Sequence, residues 1–370
     1  MVVWAFLTVG IVAVAIGCLF YIATEIRRCF ILQKLKAKSR LWGWLVPLIA
    51  VAVAALVLFL TMGVYNAAIC IAVLSLFSAL CRLIVFVVKK ICKREFRLNY
   101  AVIGAIVITG VYLGVGWYFA HDVKLTAYTL DTDKQVGELR IVQFADSHIG
   151  ALFDADGFSD YVDEMNAQNP DLVFITGDFV DDDTSRADML GAAAALAKFD
   201  TTYGVYFVCG NHDGGYYSAE ARGWTKDELF AALVSSNVTI LSDETVVIAD
   251  RINIIGRLDA SSKDRKSMSE LTAALDMDKY TIVLDHQPND YDAQHEANVD
   301  LVLSGHTHGG QFFPINIFVA LANDRVYGHE TRGNTNFIVT SGLGDWAIKF
   351  KIGCIAEYTV IDVQTKDGED

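Results

Sequence analysis

The sequence predicts a multi-pass α-helical membrane region followed by a layered α/β domain. Four long apolar runs fill the first 120 residues, and the segments between them are basic. After residue 120 the chain turns acidic and alternates short β-branched runs with helical ones, the pattern of an α/β fold. These observations divide the chain into a four-helix transmembrane region, 1–120, and a second domain, 121–370.

The chain has 370 residues and is 53% hydrophobic, too long for one ordinary domain and too apolar for a soluble one. The apolar runs are 1–24, 41–62, 66–88 and 99–120. Each has about 20 residues or more, enough for a helix to cross a bilayer core. Trp4, Trp42, Trp44, Trp117 and Tyr118 lie near their ends, where amphipathic rings favour the interface. The helices of a soluble bundle carry polar faces, and these runs do not. Run 1 lacks the basic start of a cleaved signal peptide, and three more runs follow it.

Charge orients the spans. Arg27, Arg28, Lys34, Lys36, Lys38 and Arg40 lie between runs 1 and 2, and Lys89, Lys90, Lys93, Arg94 and Arg97 between runs 3 and 4. The link between runs 2 and 3 is uncharged. Basic loops stay cytoplasmic, so everything after residue 120 is expected outside the cell membrane. Residues 1–120 hold 12 Lys+Arg and 2 Asp+Glu, which leaves 18 and 42 for 121–370. So acidic a domain repels polyphosphate backbones and is not expected to bind nucleic acid. Cys209 and Cys354, each in an apolar run, read as buried thiols, and no spacing suggests a Cys-ligated metal.

In the acidic domain, strands are expected at 123–130, 139–144, 171–176, 204–209, 280–284, 300–304, 336–340 and 354–363. A hairpin is expected at 245–250 and 251–255. Helices are expected at 157–168, 185–198 and 219–236. Asp146, Asp178, Asn211, His286 and His306 each fall within a few residues of the C-terminal end of an expected strand, where α/β sheets gather their ligands.

The motifs are Asp146-Ser147-His148, Gly177-Asp178, Gly210-Asn211-His212-Asp213, His286 and Gly305-His306-Thr307-His308. Taken singly, Asp-x-His or Asn-His-Asp is ordinary turn composition. In this order, at these strand ends, they form a donor set. Asp146, His148 and His308 can take one metal; Asn211, His286 and His306 can take a second; Asp178, with two oxygens, can bridge them. The mix of imidazole and carboxylate suits Mn, Fe, Zn, Co or Ni and is too nitrogen-rich to favour Mg or Ca. Two such metals suit attack on phosphorus by a metal-bridging hydroxide. The leaving oxygen then needs a proton, and His212 is the natural donor. Asp181 is expected to orient His212, with Asp182 as the fallback. His329 stands outside the set as a candidate substrate contact.

These motifs resemble those of the calcineurin-like metallophosphoesterase superfamily, matched in full and in order over about 123–363. The run 305–311 and Thr340-Ser341-Gly342-Leu343-Gly344 resemble its membrane-anchored or exported bacterial phosphoesterases. The resemblance implies a four-layer α/β/β/α sandwich, a dinuclear centre and hydrolysis of a phosphomonoester, phosphodiester or pyrophosphate. It carries ligand roles onto Asp146, His148, Asp178, Asn211, His286, His306 and His308, and the general acid onto His212. The subgroup's Pro and Arg after the last Gly-x-Gly are replaced by 345–351, where either Lys349 or Lys351 stands in for the Arg or the phosphate contact is absent. A tether of few residues after 120 keeps the domain near the bilayer, so a lipid-linked phosphate is among the expected substrates. The alternative function is a non-catalytic metal-binding membrane sensor or scaffold, which missing ligands or a missing acid would favour; none is missing.

Overall fold

The computed structural model describes residues 2–28, 39–93, 100–313 and 315–366. Lys34, Lys36, Lys38, Arg94, Arg97, Cys29 and the tail 367–370 lie outside the described residues. The chain divides into two compact units, Met1–Gly116 and Trp117–Asp370.

The first unit is helical: α1 (Val2–Arg27), α2 (Trp42–Cys92) and most of α3 (Tyr100–His121). Expected runs 2 and 3 form one helical stretch, α2, interrupted at a single residue, Gly63 (φ 77°, ψ 173°). Helix α1 touches both halves of α2. Phe20 stacks on Trp44 near its start at 5.7 Å, and Glu25 pairs with Arg82 near its end. The stretch therefore folds back at Gly63, in a conformation that a side chain would oppose. Asn66 Nδ2 donates to the Met62 carbonyl at 2.9 Å, across the break. Buried positions here are mostly small (Ala67, Ser75, Ser78, Cys81, Ala101, Ala105), which lets backbones approach closely. Among the described residues, Trp42–Cys92 and Tyr100–His121 are long and apolar enough to cross a membrane.

The second unit is an α/β domain with two six-stranded mixed sheets. One contains β1 (Lys124–Thr132), β2 (Glu138–Phe144), β3 (Leu172–Thr176), β4 (Val205–Val208), β5 (Val238–Leu241) and β12 (Glu357–Thr365), in the order β1-β12-β2-β3-β4-β5. The other contains β6 (Glu244–Ile248), β7 (Ile252–Gly256), β8 (Tyr280–Leu284), β9 (Leu301–Ser304), β10 (Gly328–Arg332) and β11 (Thr335–Val339), in the order β10-β11-β9-β8-β7-β6. Strands β2 to β5 are mutually parallel, as are β7, β8, β9 and β11.

Three cores order the layers. Between the sheets, Ile141, Phe174 and Val208 of the first meet Ile254, Ile282 and Leu303 of the second. Outside the first sheet lie α4 (Ala155–Asn166), α5 (Arg186–Ala195) and α7 (Lys226–Ser235), which bury Phe158, Val162, Met189 and Leu229 against it. Outside the second lie α8 (Met268–Thr272) and α9 (Tyr291–Glu296), with Tyr291 stacked on Phe337 at 3.9 Å. The order is helix, sheet, sheet, helix.

The helix expected at 219–236 is two helices. Between α6 (Ala219–Arg222) and α7, Gly223 turns left-handed and Thr225 begins a new helix through a capping box with Glu228. Strand β12 starts at Glu357, so Cys354 lies in the preceding loop. Strands β5 and β10, and α8, α9 and α10 (Ile315–Ala322), were not expected from the sequence.

Candidate metal centre

Parallel pairing brings five strand ends to one side of the sheets. Asp146 follows β2, Asp178 follows β3, Asn211 follows β4, His286 follows β8 and His306 follows β9. The Gln143 amide donates to the Ser304 carbonyl at 3.1 Å, from one sheet to the other. Asp146, His148, Asp178, His306 and His308 all have left-handed φ, between 39° and 70°. Non-glycine residues avoid this region, at a cost of about 1–3 kcal/mol each, and it concentrates at functional sites. Glycines allow the close approach. A Cβ on Gly305 would lie 2.5 Å from Asp146 Oδ2, and one on Gly177 would lie 2.5 Å from His286 Nδ1.

The side chains gather into two clusters, Asp146–His148–His308 and Asp178–His286–His306. Within each, the donor atoms lie within 4.8 Å of one another, as a shared metal ion requires. Asn211 Oδ1 lies 3.2 Å from His286 Nε2, beside the second cluster. Asp178 Oδ2 is 3.1 Å from His286 Nε2 and 3.8 Å from His148 Nε2. All seven expected ligands are therefore brought together.

The ligand-facing nitrogens are selected by what holds the opposite side of each ring. His148 Nδ1 lies 3.1 Å from Asp181 Oδ2 and His286 Nδ1 2.8 Å from the Thr176 carbonyl, both in hydrogen-bond geometry. His308 Nδ1 lies 3.1 Å from Asp345 Oδ1, close enough for an ion pair but outside hydrogen-bond geometry. Each leaves Nε2 for the cluster, the usual outer arrangement of a metal-bound imidazole. His148 Nε2 is fully buried and has no hydrogen-bond partner. A buried nitrogen in that state, facing carboxylates, fits a metal ion.

The charges lead to the same conclusion. Burial alone lowers the pKa of His148, but Asp181, Asp178 and Asp146 outweigh it and push the ring to about 9. Burial likewise opposes protonation of His286, and Asp178 and Asp146 overcome it. Burial raises Asp178, yet His286 and its neighbours hold it below the carboxylate range. The buried carboxylates demand positive charge, and without metal His148 and His286 supply it as protons. Burial, then His286, lowers His306 to about 4.

Two expectations, the role of Asp181 and the fallback Asp182, need correction. Asp181 does not orient His212; it bonds to His148, while its other oxygen accepts from the main-chain N–H groups of Asp183 and Thr184. Asp182 does not replace it, because its carboxylate receives Tyr216 N and Tyr217 N. Lys351 is fully buried and donates to the Ser341 carbonyl, so it presents no ammonium to a phosphate; Lys349 is half-buried. His329 contacts Asn336 across the β10–β11 ladder, outside both clusters. His212 itself stands at the site. Its main-chain N–H donates to Asp178 Oδ1 at 2.7 Å, and its ring lies 5.0 Å from the rings of both His148 and Tyr216. Burial depresses its pKa, and Asp178 partly counters that.

Two supporting residues had no role assigned from the sequence. Asp213 accepts from the main-chain N–H groups of Gly210, Asp178, Phe179 and Val180 at 2.7–3.2 Å. Asp345 places its carboxylate 3.1 Å from His308 Nδ1 and accepts from the Gln311 amide. Asp213 sits inside a quoted motif, so its position was visible; for Asp345 only proximity to the last Gly-x-Gly hinted at a role.

A family model described as calcineurin-like phosphoesterase matches residues 139–310. An uncharacterized metallophosphoesterase of Helicobacter pylori (strain J99) is 31% identical over 271 residues, which cover 70% of each chain. The chain belongs to the calcineurin-like metallophosphoesterase family. It is therefore a hydrolase acting on phosphoesters, in a family that uses divalent metals, and the two His/Asp clusters are its candidates for holding them. A Bos taurus protein named transmembrane protein with metallophosphoesterase domain is 31% identical over 248 residues, 62% of this chain and 54% of that one. The chain thus spans about half the length of the bovine relative. Relatives of this name and two candidate spanning helices point to a membrane protein.

Two outcomes are expected. Asp181→Asn should weaken metal affinity about 10–100-fold, the usual effect of losing a carboxylate behind a ligand histidine. Metal titration by calorimetry checks this, and unchanged affinity with slower turnover would return Asp181 to His212. Metal loading should also release protons, because His148 holds one up to about pH 9 in the metal-free site. The sign follows: a raised pKa makes protons better competitors, so affinity falls as pH falls below that value. Calorimetry in buffers of different ionisation enthalpy reads the release directly.

Proposed function

We propose that this metallophosphoesterase is a multi-pass membrane enzyme with two metals. Asp146, His148 and His308 would hold one, Asn211, His286 and His306 the other, and Asp178 stands where it can serve both. The observation that carries the reading is the position of Asp178 Oδ2, within 3.1 Å and 3.8 Å of one ligand nitrogen from each cluster. Two transition metals such as Mn, Fe, Zn, Co or Ni, when bound there, would acidify a water and neutralise the phosphate oxygens.

His212 delivers the proton to the leaving oxygen. Its backbone bond to Asp178 fixes the ring relative to the shared carboxylate. An incoming phosphate anion favours the imidazolium that burial disfavours. The substrate is a phosphomonoester, phosphodiester or pyrophosphate, with a lipid-linked phosphate favoured by the tether: His121 ends α3 and β1 begins at Lys124. Charge supports an outward-facing catalytic unit, because the basic segments lie between runs 1 and 2 and between runs 3 and 4.

His212→Ala should keep its metals and slow hydrolysis of alkyl esters by roughly 10²–10⁴. A nitrophenolate leaving group needs no proton, so aryl esters should suffer much less. Equal losses on both would make His212 a phosphate-binding residue instead. For topology, protease added to intact spheroplasts should digest residues 121–370 and spare the basic loops; a protected catalytic unit would reverse the orientation.

A further inference from the structure

Helix α10 has no buried residue, and its sequence INIFVALA contains one polar side chain, Asn316. Ile317, Phe318 and Leu321 share a face and are 49%, 69% and 81% exposed. An apolar strip of this kind on the surface marks an interaction site.

Its place in the unit indicates what covers it. Asn316 stands over the turn His308–Gly310, where a Cβ on Gly310 would meet it at 2.7 Å. The same turn is held by the segment before β12: Ile352 N donates to the Gln311 carbonyl at 2.8 Å, and Cys354 Sγ contacts the His308 carbonyl at 3.4 Å. At the far end of that segment, Ala356 N donates to the Phe119 carbonyl at 2.8 Å, in the last turn of α3. Residues 352 and 356 are at most about 14 Å apart even in extended chain. Helix α10 and the end of α3, where Trp117 and Tyr118 are each 50% exposed, therefore hang from one short segment of the same unit.

We propose that α10 is an interfacial helix: it inserts Ile317, Phe318 and Leu321 into the bilayer that α3 crosses. This rests on the membrane reading above and deepens it, because it seats the clusters at the headgroups and makes the substrate class a phosphate carried on a membrane lipid. Residues 121–370 hold 42 acidic and 18 basic side chains, so an anionic leaflet repels the unit, and docking has to come from apolar burial. A second copy is disfavoured, because stable dimers need about 800 Å² per partner, beyond what one face of an eight-residue helix offers.

The test uses the full chain in phosphatidylcholine–phosphatidylglycerol vesicles. A nitroxide is placed at Leu321→Cys, with Cys18→Ser, Cys29→Ser, Cys70→Ser and Cys92→Ser removing the competing thiols. The label should be relaxed by oxygen and shielded from a water-soluble nickel chelate. Nickel access overturns the proposal. Shielding from both, with spin–spin broadening, identifies a second copy and overturns it too. In a second arm, Ile317→Ser/Phe318→Ser/Leu321→Ser should leave hydrolysis of a soluble aryl phosphodiester unchanged. The same variant should cut hydrolysis of a diacylglycerol-linked aryl phosphodiester in vesicles by about 10-fold or more. Equal loss on both substrates, or loss on neither, overturns docking. If the unaltered protein hydrolyses neither, the phosphoesterase reading fails, and the nitroxide result still decides the docking.

Discussion

The site stands on one buried carboxylate that collects main-chain donors from two loops. Asp213, in the loop after β4, accepts from Gly210 N in its own loop and from Asp178 N, Phe179 N and Val180 N in the loop after β3. Without it, four buried N–H groups lose their acceptor, at about 1–3 kcal/mol each. Because β3 and β4 pair in parallel with Thr176 opposite Val208, both loops leave the sheet at the same level. Asp213 then fastens them into one body that carries Asp178, Asn211 and His212. The bond from His286 Nδ1 to the Thr176 carbonyl ties the second sheet to this body. The distances between the clusters are thus set by backbone geometry rather than by flexible side chains.

That rigidity offsets a local cost. Five ligand positions adopt left-handed backbone, which favours glycine, and the bonds around them over-determine the conformation. The turns present carbonyls and N–H groups inward, where Asp146 accepts His306 N on both oxygens and Asp178 accepts His212 N. Charge adds the second constraint. Carboxylates of Asp146, Asp178 and Asp181 are buried among imidazoles, so the cavity is stable only when cations, metals or protons, fill it. Metal binding and protonation are therefore competing solutions to one electrostatic requirement.

The convergence of the candidate ligands was legible in the sequence because their chemistry is concentrated and the strand ends bring them together. The residues behind them were not. Asp181 lies three after Asp178 and reads as a partner for nearby His212, yet the loop turns its carboxylate onto His148 from the other motif. Asp345 reaches His308 across the fold, a contact no local spacing encodes. Lys351 reads as a surface cation, but its neighbours bury it against the Ser341 carbonyl. In the helical region the apolar runs were legible, and the sharpness of the break at Gly63 was not, because periodicity continues on both sides of it. Helix α10, eight residues long with Asn316 as its one polar side chain, is too short for an amphipathic period to reveal it.

Acidity and anchoring bear jointly on the substrate. A catalytic unit with 42 acidic against 18 basic residues raises a negative potential that slows the approach of free phosphate anions. An enzyme for soluble anions gains rate from the opposite arrangement, a basic funnel. Attachment to a membrane removes the need for steering, since a lipid-borne phosphate confined to the same surface meets the site at a high effective concentration. Only at short range would the charge invert, where metals held at Asp146, Asp178, Asn211 and the four histidines His148, His286, His306 and His308 would offset the carboxylates. On the proposed function, an acidic exterior around a cation-binding centre would favour substrates delivered along the bilayer over those arriving from bulk water.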